Sequence, residues 1–305
     1  MFFRVIDYFV CLVVRLLMCL VQSLSMETAL SIGNALAWTV TYLIPVRRGT
    51  LKENFDIAFP GLSPKDRRKL TFRMWQHLMT MAVEVAHASR KIHPTNWRHY
   101  IRLIHAEKVG KILHLERPVL IVTGHFGNFE AGGYFLGILG YPTYSVARQL
   151  DNIYLEEYVK NFRESSGQYL VPKNDGYDQI LEVLDRKDTM AFLADQSAGP
   201  KGCWVDFFGH PASTYKAMAL LSLQYDAPIV VCHSTRRDAP LQFDVEIAGI
   251  LDPRNLPENI RSVKGITQWF TSLLEEGIRK KPEQYWWIHR RWKTYGKAFP
   301  KKNAL

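Results

Sequence analysis

The stretch PVLIVTGHFGNFEAGG, residues 118–133, decides how the rest of the chain is read. It opens as an unbroken apolar run and then places Gly124, His125, Gly127, Asn128 and Glu130 close together. A short β-branched run closed by glycine reads as a buried strand. Asn128 is a good N-cap, so a helix is expected to begin about there. A strand that runs straight into a helix is the first half of a βαβ unit.

The same alternation continues downstream. Residues 143–148, 168–172, 189–195, 228–236 and 242–249 read as strands. Residues 152–167, 177–187, 213–226 and 258–281 read as helices, with Ser213 or Thr214 as an N-cap. This pattern predicts an α/β fold with a mostly parallel sheet flanked by helices. Residues 47–115 look mainly helical, and residues 116–305 form the α/β core with a basic C-terminal end. No Pro/Ser-rich linker divides them, so 47–305 is read as one domain behind an N-terminal anchoring segment, residues 1–46.

That segment is apolar but carries Arg4, Asp7, Arg15 and Gln22. A secretory signal has its charges ahead of the apolar core and a small-residue cleavage site after it, and neither holds here. At 100° per residue the four polar side chains fall within an arc of roughly 80°. They form a narrow stripe on a greasy rod, suited to lying in a membrane interface or to spanning with the stripe against a partner. Charge is uneven as well. The net formal charge of +10 is concentrated in two places: residues 279–302 hold nine basic residues against Glu283, and residues 47–73 hold eight against three acids. Anionic membrane surfaces, phosphorylated ligands and acidic proteins are the partners such patches fit. The positive-inside rule sets the main domain on the cytoplasmic side. YWWIHRRWKTYGK, residues 285–297, mixes aromatic and basic residues in a way that suits nucleic acid, but also a membrane interface. With the apolar N-terminus, the membrane is the expectation and nucleic acid is not.

The chemistry centres on the opening stretch. Sites in open α/β sheets form beyond the carboxyl ends of strands, which is where His125 falls. Glu130 is then in the first turn of the next helix. A carboxylate bonded to one imidazole nitrogen fixes the tautomer and makes the other nitrogen a better base. The neighbouring glycines admit a substrate and backbone N–H groups. Spacing alone fits a structural histidine equally well, with a glutamate placed by the helix dipole. No CxxC pair, HExxH, GxSxG, phosphate loop or dinucleotide fingerprint occurs, so no metal or cofactor is expected. Arg148 ends a predicted strand at the same edge and suits a phosphate contact, or a surface pair with Asp151. Asp195 and Gln196 end another strand and either shape an acceptor pocket or cap a loop. Thr214 and Lys216 open a predicted helix and suit an anion or ordinary capping. Arg163 reads as a solvated helix charge. Asn128, beside His125, joins the substrate-binding set.

Several blocks beyond TGHFGNFE give the chain a familiar order: LKENFDIAFPGLSPKDRRKL (51–70), ARQLDN (147–152) with FRESSG (162–167), FLADQSAGPKGCWVDFFGHPAST (192–214) and KKPEQYWWIHRRWKT (280–294). Together they resemble the lipid A biosynthesis acyltransferase family, the late lauroyl and myristoyl transferases acting on lipid A precursors. The resemblance implies a fold like the glycerophosphate acyltransferases, with His125 as general base and Glu130 as its orienting partner. It implies acyl transfer from a thioester, on acyl carrier protein or coenzyme A, to a hydroxyl of a lipid A precursor or related glycolipid. It also implies a bacterial inner (plasma) membrane location. A phosphatidylinositol mannoside or lysophospholipid acceptor, a thioester hydrolase, and a noncatalytic lipid-binding protein of the same fold are the alternatives. Asn54 and Glu84 match family positions without an evident role.

Overall fold

A computed structural model describes residues 2–294, so Lys297, Lys301 and Lys302 of the basic C-terminal run lie outside the described residues. Four helices come first: α1 (Phe2–Ser23), α2 (Met26–Tyr42), α3 (Arg48–Ala58) and α4 (Pro64–Lys91). Strand β1 (Ile101–Ile104) and short helix α5 (Val109–Leu113) follow. The alternating part is β2 (Val119–Thr123), α6 (Phe129–Ile138), β3 (Thr143–Ala147), α7 (Ile153–Glu164), β4 (Gln168–Pro172), α8 (Tyr177–Asp185) and β5 (Thr189–Leu193). Then come β6 (Cys203–Phe207), β7 (His210–Thr214), α9 (Ala217–Tyr225), β8 (Ile229–Arg236), β9 (Phe243–Leu251) and α10 (Val263–Lys280).

The main sheet has the order β1-β9-β8-β2-β5-β3-β4. The five strands from β8 to β4 run parallel, and β9 turns back against β8 with β1 parallel beside it. The fold is thus the expected mixed α/β layer structure. Leu120 and Val122 of β2 sit in a buried cluster with side chains of α8, α9 and α10. Ala131 and Phe135 of α6 pack with the end of α4, β1 and β9 in another.

Two features differ from the expected elements. Strand β1 falls within the stretch 47–115 that is expected to be mainly helical. The segment expected to be a glycine-rich loop is instead the hairpin β6–β7, whose two turn residues, Phe208 and Gly209, both have positive φ (57° and 73°). Such a turn matches the twist of its flanking strands. Ser213 and Thr214 are paired in that hairpin with Trp204 and Cys203, so neither caps a helix; α9 starts only at Ala217.

One face of helix α1 packs on the rest of the protein, while Arg4 and Arg15 of its polar stripe remain exposed. The Asn152 side chain donates to the Asp7 carbonyl at 2.9 Å, Arg15 lies over the Tyr158 ring, and Gln22 donates to the Ala86 carbonyl at 2.9 Å. Cys11, on the same face, is buried. The opposite face leaves Val5, Phe9, Leu16 and Leu20 at least half exposed. At 1.5 Å per residue α1 is ~33 Å long, and among the described residues it is the one helix long and apolar enough to cross a membrane.

Candidate active site

Strands β2 and β5 are neighbours, and their parallel register pairs Thr123 with Leu193. The Ala194 amide then donates to the Thr123 carbonyl at 2.8 Å, carrying the register past both strand ends. His125 and Asp195, each two residues beyond its strand, are therefore set side by side. The His125 Nδ1–H donates to Asp195 Oδ1 at 2.8 Å. The tautomer follows from this partner: Nδ1 carries the proton and Nε2 has the lone pair. Gln196 donates its side-chain amide to that lone pair at 3.3 Å. Phe129 and Trp286 flank the imidazole ring, with centroids 5.2 and 5.1 Å away.

The carboxylate that orients His125 by hydrogen bonding is therefore Asp195, where Glu130 had been expected. Glu130 accepts from Arg163, at 3.1 Å from Nε and through a second contact to the guanidinium. Helix geometry explains the difference. Glu130 is the second residue of α6, and its side chain turns towards α7, where Arg163 supplies a matching fork. Glu130 still acts on His125 through space. Burial lowers the imidazole pKa, but the Asp195 charge and hydrogen bond, helped by Glu130, outweigh it and hold the ring above its ordinary value. Burial likewise pushes Asp195 up, while His125 and then Arg291 bring it below the usual carboxylate range. The directions agree: an imidazole made more basic by a buried, ionised carboxylate.

The loop carrying His125 is clamped from three sides. The Gly127 amide donates to the Gln284 carbonyl, the Asn128 amide to the Ser234 carbonyl, and the Trp286 amide to the His125 carbonyl. Gly127 has φ +64°, and a Cβ there would overlap the Ser234 carbonyl. The glycine serves close backbone packing rather than substrate clearance. Beneath the loop lies a buried polar cluster. Glu84, with no exposed surface, accepts from Arg236, from the Leu241 amide at 3.1 Å and from the Asn128 side chain at 3.0 Å. Arg236 also donates to His77 Nδ1 at 2.9 Å, so His77 Nε2–H donates to the Gly127 carbonyl at 3.2 Å. Burial, reinforced by the Arg236 charge, drives the His77 pKa down to about 3, so the ring stays neutral.

The C-terminal segment makes the back wall. Tyr285, Trp287 and Arg291 are buried, not spread at a membrane surface as their composition suggested. Asn54 donates to the Trp287 and His289 carbonyls at 2.6 and 2.8 Å, which is its role. The Ser197 amide donates to His289 Nε2 at 3.1 Å, holding the loop that carries Asp195 and Gln196. Burial above all keeps His289 neutral, with a pKa lowered to about 4.

The remaining candidates separate clearly. Asn128 caps α6, accepting from the Ala131 amide at 3.0 Å while its amide is bound to Glu84. Both ends of the side chain are used within the protein, which removes it from the substrate-binding set. Thr214 is buried in β7 and accepts from Arg291. It too is structural, because the hairpin draws it away from any helix terminus. Arg148 lies at the end of β3, exposed, with only a loose contact to Asp151 at 3.7 Å. No group of three or more His, Cys, Asp or Glu residues suited to a metal occurs among the described residues. Sequence reading gave the Glu84, His77 and Arg236 cluster no role, because its members come from α4 and β8. Its one signal was Glu84 at a family position.

Comparison with known proteins gives a consistent result. The bacterial lipid A biosynthesis acyltransferases match residues 2–294 as a family. The lipid A biosynthesis lauroyltransferase of Escherichia coli (strain K12) is 23% identical over 84% of this chain and 82% of that protein. The palmitoleoyltransferase of the same strain is 24% identical over 81% of this chain and 79% of its own length. A lipid A biosynthesis acyltransferase of Haemophilus influenzae is 22% identical over 86% of this chain and 83% of its own length. Among solved structures, the 1-acyl-sn-glycerophosphate acyltransferase PlsC from Thermotoga maritima covers 82% of this chain and 97% of its own, at 12% identity and a TM-score of 0.40. With the family matched along nearly its whole length, the chain is an acyltransferase belonging to the bacterial lipid A biosynthesis acyltransferase family.

Proposed function

We propose that this protein transfers a fatty acyl chain from a thioester, on acyl carrier protein or coenzyme A, to a hydroxyl of a lipid A precursor or a related glycolipid, with His125 as general base. The observation that carries this reading is the paired geometry at His125: Nδ1 bound to buried Asp195, and Nε2 holding its lone pair. Gln196 then occupies the place an acceptor hydroxyl takes when it donates to Nε2. As the hydroxyl oxygen attacks the thioester carbonyl, Nε2 takes its proton. The tetrahedral oxyanion collapses, the C–S bond breaks, and the thiolate leaves with the proton returned from the imidazolium. Asp195 holds the ring and stabilises its charged form. The amides of Gly127 and Asn128 are committed to carbonyls, so the oxyanion donors we assign are those of Phe129 and Glu130 in the first turn of α6. Glu130 is a positioning residue that fixes Arg163 and adds to the basicity of His125. Exposed Arg148 meets a phosphate of the acceptor.

The same reading places the protein at the cytoplasmic face of a bacterial inner membrane. The support for the membrane is α1, one face of which is held by α7 and α4 while its apolar face is uncovered, and the support for the cytoplasmic side is the basic run of residues 47–73 that follows. A helix anchored in this way lies along the protein at the interface, with the site beside it.

The test is transfer of a labelled acyl group from thioester to a panel of lipid acceptors in mixed micelles. His125→Ala lowers the rate about 10²- to 10⁴-fold, the usual worth of a placed base. An unchanged rate in that variant contradicts the assignment, and thioester loss without acylated lipid contradicts transfer.

A further inference from the structure

Away from the site, the end of α2 and the starts of α3 and α4 enclose a recess of about 350 Å³. Arg48, Lys52, Arg67 and Arg68 form its charged wall, and no acid lines it. Tyr42, Pro45 and Val46 contribute its apolar wall. The recess continues past Arg68 to Lys65 and Lys69. Asp56, outside the lining, accepts from Lys52 at 2.8 Å and from Arg67. That leaves the side chains of Arg48 and Arg68 without a hydrogen bond or ion pair among the described residues. The Arg67 Nε–H is buried and has no acceptor. A buried donor without an acceptor is destabilising, and buried polar groups are normally paired. Guanidinium groups facing one recess suit an oxyanion with several acceptor oxygens, above all a phosphate.

The surroundings say where that phosphate comes from. Directly beside the recess, Leu43 and Ile44 are 64% and 65% exposed. Trp38 and Tyr42, on the same helix end, are also exposed and touch each other at 5.6 Å between ring centroids. An apolar tip bordered by aromatic rings and then by arginines is the order of groups met on passing from acyl chains through head groups to water. We infer that this recess binds the phosphate of an anionic glycerophospholipid, with Leu43 and Ile44 entering the acyl region. A soluble acidic protein matches the charge but leaves the apolar tip uncovered. The recess lies at the start of α4, whereas α1 is held at the other end of that helix by Ala86 and Arg90, so the catalytic domain meets the membrane at two places. The inference rests on the membrane reading above, but its readout is binding rather than turnover, so either can fail alone.

The experiment uses the full chain, diluted from detergent onto vesicles of phosphatidylcholine with or without phosphatidylglycerol and then floated. Arg48→Gln/Arg68→Gln lowers partitioning onto the anionic vesicles about 25-fold, roughly five-fold for each basic residue lost at the surface. It leaves binding to neutral vesicles unchanged. A pair with the same loss of charge elsewhere, Arg186→Gln/Arg254→Gln, keeps most of the anionic binding. Equal losses in the two pairs overturn the inference in favour of net charge, and no loss in the first pair overturns it outright. Dihexanoyl-phosphatidylglycerol in neutral micelles raises the unfolding midpoint of the parent protein but not of the first pair. The same rise with inorganic phosphate alone means an ion site rather than a lipid site. If the first pair keeps its vesicle binding and loses only transfer from an acidic carrier protein, the surface belongs to that protein.

Discussion

The loops after β2 and after β5 leave adjacent strands at the same level, yet their carboxylates are used in opposite ways. Glu130, in the first turn of the helix that follows the first loop, is partly exposed and committed to Arg163. Asp195, on the second, is buried and committed to His125. Sequence proximity joined His125 to Glu130; strand register joins it to Asp195. The lesson is that a pair in one motif need not be a hydrogen-bonded pair. The motif can divide its work, one residue holding the imidazole's neighbourhood and a distant residue holding the imidazole.

The largest expected effect comes from breaking the support of the first loop. Glu84→Gln leaves Arg236 buried without a counter-charge. It lowers the stability of the fold by about 3–5 kcal/mol, measured by denaturant unfolding. Glu130→Gln, at the start of α6 and partly solvated, shifts that midpoint far less. A comparable loss for both variants would mean that the loop is not clamped from below.

Activity is expected to rank the two carboxylates in reverse of their distance in sequence. Asp195→Asn retains an acceptor for the Nδ1–H but loses its charge, and the rate at neutral pH falls about 100-fold, the lower end of the worth of a placed base. Glu130→Gln lowers it less, about ten-fold, because it loosens the hold on Arg163 and removes a charge that adds to the basicity of His125. Single-turnover transfer rates measure both. The smallest effect belongs to Arg148→Gln, which weakens an exposed contact worth about 1 kcal/mol. It raises KM for a phosphorylated acceptor several-fold and leaves kcat unchanged; an equal change with an unphosphorylated acceptor would remove Arg148 from phosphate binding.

Much of the fold was legible because period and punctuation agree along residues 118–281. PVLIVTG is followed by an asparagine that does cap the next helix. What stayed hidden depends on strand order. Nothing local says that β5, and not β3, lies beside β2, and only that placement brings Asp195 to His125. The signal existed in weak form: both residues stand two positions beyond an apolar strand. Composition misled in the same way at the C-terminus. YWWIHRR and the α1 segment both look suited to a membrane, but the first is held by Asn54 and by the loop 125–127 and becomes the wall of the site. The second is held along one face only and keeps its apolar face open. Hydrogen-bond partners, which a sequence does not display, separate the two cases. The hairpin was missed because Ser213 and Thr214 have good capping chemistry, and pairing with Trp204 and Cys203 overrode it.

The pH dependence of single-turnover transfer in the parent protein, Asp195→Asn and Glu130→Gln tests the central claim most directly. In the proposed mechanism His125 must be neutral to act as the base. Asp195, its charge and hydrogen bond outweighing burial, raises the His125 pKa, so the acid limb of the parent protein lies above that of an ordinary imidazole near 6.5. Removing the Asp195 charge lets burial dominate, so the limb moves to lower pH while the plateau drops. Glu130→Gln moves the limb in the same direction but by less. A larger displacement in Glu130→Gln, or an acid limb unmoved in Asp195→Asn, would contradict the assignment of Asp195 as the carboxylate that governs the base.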